Sequence, residues 1–514
     1  MLISGPIFTF GVLHSSIGQL LGATNFQVQM IGVAGDIGLW TKILPGLVFD
    51  KLGARITMAA GAFLAVVGYG MMYLGLIGKW TPSALAVAWL LAGQGSGFIY
   101  LSAMFSNTKN FAAHERGRIT GFLSCAFGLS SAVLTSLLGG CLGGHVDASG
   151  ECIGGTLGHS VPEYMLMLAI AVPIIALLAA AVTHVREGQV PTIADRAALR
   201  STAMFWGLIV LTILVFGMKL IGAFVDASVN TWSNYIILAF IALLFLVPVG
   251  AGAVPAAVAK QGEEEEEEVA SPRATSSCEE STAQASSAHV AQSSESSETA
   301  EEDVLRQSGF WLLFLLFGIG VGADLTTLNV LSPIVASREL DTKIAGLLLI
   351  VQMGCDALAR LASGFVVGKS IRPTHLLVCA PLMTVLGQML LALGGDWLLY
   401  PACALLGLSD GVLWTMAPLF TGQAFGLKHV GRNFGIIAIS AALFQVLLSL
   451  GLEPLVYKRH LAEGEDVCIG ELCFTALHWT MGVLSALAVV AAISLHREGG
   501  ASGKRPVEQE KTAA

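Results

Sequence analysis

Residues 46–55 read GLVFDKLGAR, and this stretch decides the fold class of the chain. It lies between two apolar runs that are each long enough to cross a bilayer as a helix. Gly46 permits close contact between helices, and Gly53 permits a tight turn. Asp50 ends the first helix, where a carboxylate can meet the N-terminus of a neighbouring helix or a cation in a loop. The stretch predicts two membrane helices joined by a short polar turn; an ordinary charged helix end is the alternative.

The composition extends this interpretation to the whole chain. Of 514 residues, 54% are hydrophobic and 12% are charged, whereas a soluble domain carries roughly 25% charged residues. Only helices and closed barrels satisfy their backbone in lipid, and the short alternating segments of barrel strands are not visible in the sequence. We therefore expect an all-α membrane protein, without a soluble catalytic domain or a basic face for nucleic acid.

Apolar runs of membrane-spanning length predict about fourteen transmembrane helices. The predicted spans are 2–21, 27–49, 56–78, 82–104, 118–142, 162–184, 203–225, 234–256, 309–333, 344–367, 374–393, 396–418, 431–453 and 475–496.

The spans predict two six-helix halves separated by an insertion. The first half covers 1–186, two additional helices cover 203–256, the second half covers 308–497, and a tail covers 498–514. The linker 257–307 contains six consecutive glutamates and cannot bury apolar area, so it is predicted to be a disordered tether. A regulatory or partner-binding role for the linker is the alternative.

The charge distribution predicts the orientation. Most Lys and Arg residues outside the spans fall in loops on the side that carries both termini, which is typical of the cytoplasmic side. We expect a multi-pass protein of the plasma membrane or an endomembrane, with the N-terminus, the linker and the C-terminus in the cytoplasm.

The turn after the second span resembles the signature of the major facilitator superfamily, G-x-L-x-D-[RK]-x-G-x-[RK]. Gly46, Asp50, Lys51, Gly53 and Arg55 occupy its defined positions. The resemblance implies two pseudo-symmetric six-helix halves, a monomer, and a contact at Asp50 that forms in one transport state and breaks in the other.

A reduced copy of this signature lies at the matching place in the second half. Gly364 and Lys369 keep the first glycine and a base, while Gly368 replaces the acid. Transporters of this kind are built from duplicated helical units, so the copy supports two related halves.

More specific motifs along nearly the whole chain resemble the nodulin-like family. Relative to that family, lysines are missing before the acid of the second helix and in the fifth helix, where this chain has Gly35 and Ser124. The motifs are Gly5-x-x-Phe8-x-Phe10-Gly11, Asp36-Ile37-Gly38, Asn110-Phe111, Arg116-Gly117, Gly128-Leu129-Ser130, the run FGLKH at 425–429 and the run CIGELCF at 468–474.

Charged residues inside apolar spans are the candidates for solute and proton binding. Each costs about 2.5–3.5 kcal/mol at a helix centre, so such residues usually face a partner or a wet cavity. A hydrogen-bonded structural role is the alternative for each. The candidates are Asp36, Lys42, Asp324, Asp356, Arg360 and Asp410.

Two of these candidates favour an organic anion. Asp356 and Arg360 are four residues apart and share one helix face. They form either a self-neutralised structural pair, or a site in which a proton on Asp356 frees the guanidinium to hold a carboxylate. Their spacing resembles that of monocarboxylate transporters, although the acidic-aromatic motif of those proteins is not visible in the first helix. Lys42 either pairs with an acid across the bundle or neutralises an anionic substrate.

Glycine and cysteine patterns are interpreted structurally. The glycine clusters at 93–97 and 318–322 lie inside apolar spans, where close helix packing is favoured over a phosphate loop. Cys468 and Cys473 lie in a predicted outer loop, where a disulfide is favoured over free thiols or a metal site. No metal centre or cofactor is predicted.

The sequence thus favours a secondary active transporter, not an enzyme, that moves a small organic anion or monocarboxylate with a proton by alternating access. One alternative is an exporter of a transition metal or metal chelate, which cellular metal content after deletion would reveal. Another is a membrane scaffold or sensor that acts through the acidic linker, in which case deleting 262–305 would abolish function.

Overall fold

A computed structural model gives the architecture of the chain. With single gaps at 2, 342 and 471, the described residues are 1–111, 115–130, 161–183, 304–367, 371–460 and 468–502, together with 144–146, 152–154 and the single positions 134, 207 and 210. Apart from positions 207 and 210, the predicted additional helices in 203–256 lie outside these residues, and so does the predicted linker except for 304–307.

The described part of the first half is helical except for one pair of short strands. A 3-10 turn at Pro6–Thr9 leads into the first helix, and the helices are α1 Phe10–Leu21, α2 Asn25–Trp40, α3 Ile43–Ile77, α4 Pro82–Asn110, α5 Arg116–Gly128 and α6 Val161–Val182. Between α5 and α6, strands β1 Gly144–Val146 and β2 Cys152–Gly154 pair antiparallel, a small exception to the predicted all-α structure.

The described residues of the second half form seven α-helices. They are α7 Ser308–Ser337, α8 Lys343–Val366, α9 Pro373–Ala392, α10 Leu399–Ala424, α11 Val430–Val446, α12 Glu453–His460 and α13 Leu472–Ser502. A π-helical segment, Leu447–Leu452, continues α11 into α12. The short helix α12 was not predicted as a separate element.

The membrane fold follows from the outer surface of the bundle. Within the described ranges, nine stretches are long and apolar enough to cross a membrane. Large apolar side chains point outward, including Phe63 at 67% exposure and Leu178 at 66%. Such a surface is costly in water and natural in lipid, so the predicted helical, multi-pass membrane protein is confirmed.

The predicted second span, 27–49, is wrong in one respect, because it is not a continuous helix. Helix α2 ends at Trp40 and α3 begins at Ile43. Pro45 explains the break: it has no N–H to donate to the carbonyl of Thr41, and its ring would clash with that carbonyl. The side-chain amide of Gln94 donates to the Thr41 carbonyl instead, at 3.0 Å.

The turn between the second and third predicted spans is shorter than predicted. Helix α3 runs through it, and only Gly53 leaves helical geometry, with φ +80° and ψ 177°. This backbone region is essentially reserved for glycine. Gly53 therefore makes the turn in one residue.

The two halves contact each other at two places. Within the first half, α3 packs on α4 and α6; within the second, α8 and α9 pack on α10, and α7 packs on α11 and α13. Between the halves, α5 packs against α8 and α10, and α11 packs against α2 and α3. Five of the six candidate charges lie along these two contacts, and Asp324 lies on α7 beside α8.

Candidate functional site

Arg360 occupies the centre of a buried charge cluster between the halves. Its Nε donates to both oxygens of Asp356, at 2.8 and 2.9 Å, and its Nη2 donates to Oδ2 of Asp410 at 3.4 Å. Its Nη1 donates to the hydroxyl of Ser124 on α5, at 2.9 Å. All four side chains are buried. The guanidinium thus joins two carboxylates of the second half to a hydroxyl of the first.

Helix α8 extends this cluster by one turn. Gln352 precedes Asp356 by four residues, and its amide donates to Oδ1 of Asp324 on α7 at 2.7 Å. The other oxygen of Asp324, and Oδ1 of Asp410, have no hydrogen-bond partner among the described residues. Two buried carboxylates therefore each keep an open acceptor.

Asp36 lies apart from this cluster, on the other contact between the halves. Its Oδ2 accepts a hydrogen bond from the amide of Gln445 on α11, at 3.1 Å. The side chain is half-buried on α2. The bond connects α2 to the second half.

Lys42 is fully buried beside aromatic rings. Its Nζ lies 3.7 Å from the ring centroid of Tyr100, 4.7 Å from that of Trp40 and 5.1 Å from that of Trp414. These are cation–π distances. Nζ has no hydrogen-bond partner within the described part of the chain, so the ion pair considered as one alternative is not formed there.

The signature residues lie at one end of the contact between α3 and α11. Asp50 accepts hydrogen bonds from the backbone amides of Gly431, at 3.2 Å, and Arg432, at 2.7 Å. These amides belong to the first turn of α11, where a carboxylate is favoured by the unpaired N–H groups and the helix dipole. Of the two partners considered for Asp50, the structure contains the helix N-terminus, and the basic side chains of Lys109 and His429 also interact electrostatically with its carboxylate.

The remaining signature positions have distinct roles. A side chain at Gly46 would collide with the carbonyl of Gly431, so glycine lets α3 and α11 touch. Arg55 is exposed, and its Nε donates to the carbonyl of Thr183 at 2.7 Å, which ties α3 to the end of α6. Lys51 is exposed.

The reduced copy of the signature makes the matching contact on the other side. A Cβ at Gly364 would lie 2.6 Å from the carbonyl oxygen of Gly117 and 2.6 Å from Cα of Gly121, both on α5. Gly364 of the second half thus touches the first half as Gly46 of the first half touches the second. Gly368 and Lys369 lie outside the described residues.

The two departures from the nodulin-like pattern fit their surroundings. A side chain at Gly35 would collide with the indole of Trp89. Ser124 accepts from Arg360 and donates to the carbonyl of Trp414 at 3.4 Å. A lysine at position 124 would place a second cation against the guanidinium.

The glycine clusters pack helices closely. A Cβ at Gly93 would collide with the carbonyl of Gly35 on α2, and one at Gly322 would lie 2.6 Å from Cβ of Phe444 on α11. Neither cluster lies in a loop, so the packing interpretation agrees with the structure.

Cys468 and Cys473 form a disulfide, with their Cα atoms 6.0 Å apart. The amide of Gly470, between them, donates to the carbonyl of Ser337 at 2.7 Å and holds the loop against the end of α7. Among the described residues, no three His, Cys, Asp or Glu side chains are grouped as metal ligands.

Sequence reasoning missed several residues of the site. The aromatic side chains of Trp40, Tyr100 and Trp414 carry no signal, because any apolar span contains such residues. Gln352 did carry one, since it stands four residues before Asp356 and eight before Arg360 on one helix face.

Comparison with known proteins agrees with this architecture. A family model described as Nodulin-like matches residues 1–253, and one described as NFD4, C-terminal domain matches residues 296–501. The Arabidopsis thaliana protein NUCLEAR FUSION DEFECTIVE 4 is 22% identical over 530 residues, which cover 96% of this chain and 86% of that protein.

Two solved structures are similar to nearly the whole chain. The proton:xylose symporter XylE, of the major facilitator superfamily, superposes with a TM-score of 0.55 at 12% identity, covering 94% of each chain. The human organic anion transporter MFSD10 (TETRAN) superposes with a TM-score of 0.51 at 14% identity, covering 96% of each chain. At these identities the similarity establishes a shared fold.

Proposed function

We propose that this chain, which matches the Nodulin-like family model over residues 1–253 and shares the fold of major facilitator superfamily transporters, carries a small organic anion, a monocarboxylate, across the membrane together with a proton. The observation that carries this proposal is the buried guanidinium of Arg360, which bonds to Asp356, Asp410 and Ser124 across the contact between the halves.

The charge balance of this cluster favours proton binding. Asp324, Asp356 and Asp410 are buried with Arg360, so carboxylates outnumber the guanidinium. An uncompensated buried charge is strongly destabilising. A proton bound by one carboxylate reduces the excess negative charge.

Proton binding is coupled to the rest of the site through Arg360. A proton on Asp356 removes a charge-assisted bond, which is about twice as strong as a neutral one. The guanidinium can then exchange its hydrogen-bond partners. One of its present partners is Ser124 of the opposite half. Rearrangement of the halves around this central site is the alternating-access scheme of such transporters.

Two similar structures support an anionic substrate and coupling to protons. One similar structure is an organic anion transporter and another is a proton-coupled symporter.

Lys42 adds a second buried cation near Arg360, because both lie beside the ring of Trp414, at 5.1 and 5.9 Å from its centroid. Two cations near one point suit an anionic solute.

The proposal is tested by uptake of radiolabelled pyruvate, and then of a panel of monocarboxylates, into proteoliposomes. Uptake should rise when the outside is acidified, and Arg360→Ala should lower it to the level of empty liposomes. Arg372→Ala is the matched control, because Arg372 is exposed at the start of α9 and should leave uptake unchanged. Uptake that is unchanged by the proton gradient and by Arg360→Ala would contradict proton-coupled anion transport.

A further inference from the structure

The break between α2 and α3 brings unpaired donors together inside the bundle. Lys42 is the N-cap residue of α3, and its side chain makes no capping hydrogen bond. The N-terminus of a helix carries partial positive charge from its unpaired amides. A lysine at this position therefore adds its charge to a site that already attracts anions.

Three buried side-chain donors surround this break. The ammonium of Lys42, the indole N–H of Trp40 and the hydroxyl of Tyr100 are at most 1% exposed and have no hydrogen-bond partner in the described ranges. An ammonium and an indole N–H can only donate hydrogen bonds. Burying donors without acceptors costs free energy, so the group that completes this site must supply acceptor oxygens.

The walls of the site distinguish an organic anion from an inorganic one. Trp40 stacks on Trp414 with ring centroids 4.3 Å apart, and the rings of Phe127 and Phe434 lie 5.9 and 5.8 Å from Nζ of Lys42. Aromatic faces offer an apolar surface to the body of a ligand but few further donors. Phosphate or sulfate, with more oxygens to satisfy, would stay underbonded there.

The two buried cations differ in their availability. Nε, Nη1 and Nη2 of Arg360 all donate to protein oxygens, whereas Nζ of Lys42 donates to none within the described residues. We propose that Lys42, Trp40 and Tyr100 at the broken helix bind the carboxylate group of the transported monocarboxylate, while Arg360 serves the proton site. This assignment rests on the proposed anion transport. It places carboxylate binding at Lys42 and proton binding at the cluster around Arg360.

The assignment also connects binding to the contact between the halves. Trp40 belongs to the first half and its stacking partner Trp414 to the second. Trp414 in turn accepts, through its carbonyl, the hydrogen bond of Ser124, which is bonded to Arg360. A carboxylate at Lys42 therefore lies one aromatic ring away from the proton site.

The first experiment measures pyruvate uptake against concentration in proteoliposomes. Lys42→Met removes the charge with little change of volume and should raise KM at least tenfold. Lys42→Arg should restore part of the loss. Trp40→Phe keeps the aromatic ring but removes one donor, and should raise KM about three- to tenfold.

Lys458→Met is the matched control. It removes the same charge by the same substitution, but from an exposed position on α12. KM should stay within twofold of the unaltered protein. Sodium phosphate and sodium chloride at the same concentration should not compete with pyruvate.

A binding measurement separates this inference from the proposed function. Pyruvate should change the tryptophan fluorescence of the purified protein saturably, and Lys42→Met should abolish the change while Lys458→Met keeps it. A saturable change lost in Lys42→Met supports the site even if no uptake occurs, and that result would overturn only the transport proposal. Proton-driven uptake with an unaltered KM in Lys42→Met, or equal competition by phosphate, would overturn the site.

Discussion

At the scale of single residues, the two carboxylates on Arg360 are not equivalent. Asp356 receives two short bonds from Nε, at 2.8 and 2.9 Å, whereas Asp410 receives one bond of 3.4 Å. Hydrogen bonds weaken with distance, so Asp356 holds the guanidinium more firmly. Loss or gain of a proton at Asp356 therefore changes the cluster most.

This difference predicts unequal effects of two matched substitutions. Asp356→Asn cannot lose a proton, and uptake by this variant should no longer respond to an inward proton gradient. Asp410→Asn should keep at least half of the response, because the shorter bonds to Arg360 remain. Gradient-driven pyruvate uptake by both variants, compared at equal amounts of reconstituted protein, measures the difference.

Two results would contradict this ordering. One is a full gradient response in Asp356→Asn. The other is a complete loss of the gradient response in Asp410→Asn, which would give Asp410 an essential part in the proton site.

At the scale of elements, two local devices shape the second and third predicted spans. Pro45 interrupts the helix at Thr41 and places Lys42 at a new helix N-terminus inside the bundle. Gly53 turns the chain between the two membrane passes within a single residue. The break at Pro45 and the turn at Gly53 both arise from the backbone. Their effects on stability can therefore be tested without removing a side-chain contact.

The turn predicts the effect of adding one methyl group. No atom lies within 4 Å of a Cβ built at Gly53, so Gly53→Ala meets no steric barrier and suffers only from its φ of +80°. The substitution should lower the free energy of unfolding by about 1–3 kcal/mol. Thermal unfolding of the purified protein in detergent measures the loss as a lower Tm.

Gly70→Ala provides the control for this test. Position 70 is also open to an added Cβ, but it lies in the regular helical part of α3. Alanine is favoured over glycine there by up to about 1 kcal/mol, so Tm should stay the same or rise. Equal losses at both positions would show that the turn at Gly53 has no special conformational demand.

At the scale of the whole molecule, glycines set how closely the halves approach. Gly46 touches Gly431 of α11, and Gly364 touches Gly117 and Gly121 of α5. These contacts involve backbone atoms, which cannot move aside as a side chain can. The charge cluster at Arg360 lies one turn from Gly364 on α8, so its geometry depends on this approach.

A bulky residue at this crossing should therefore disturb the site without touching it. In Gly364→Val, helices α5 and α8 are forced apart, and we expect at least a tenfold loss of uptake with a lower Tm. Gly346→Val on the same helix has open space around its Cβ and should keep both properties near normal. Normal uptake by Gly364→Val would contradict the importance of this crossing.

The sequence by itself determined the membrane bundle, the two related halves and the charged candidates. The reason is that a lipid bilayer requires long apolar helices and makes buried charges costly. Both the apolar spans and the charges within them can be identified directly in the sequence. Asp356 and Arg360 were paired correctly because a helix brings residues four apart together.

Only the tertiary structure decided which distant residues meet. Ser124 and Arg360 are 236 residues apart, and the aromatic rings around Lys42 come from α2, α4, α5, α10 and α11. Their approach depends on helix packing across the two halves, which no local pattern encodes. For the same reason, the sequence left open whether Lys42 pairs with an acid or stays available to a ligand, a question that depends on side chains from other helices.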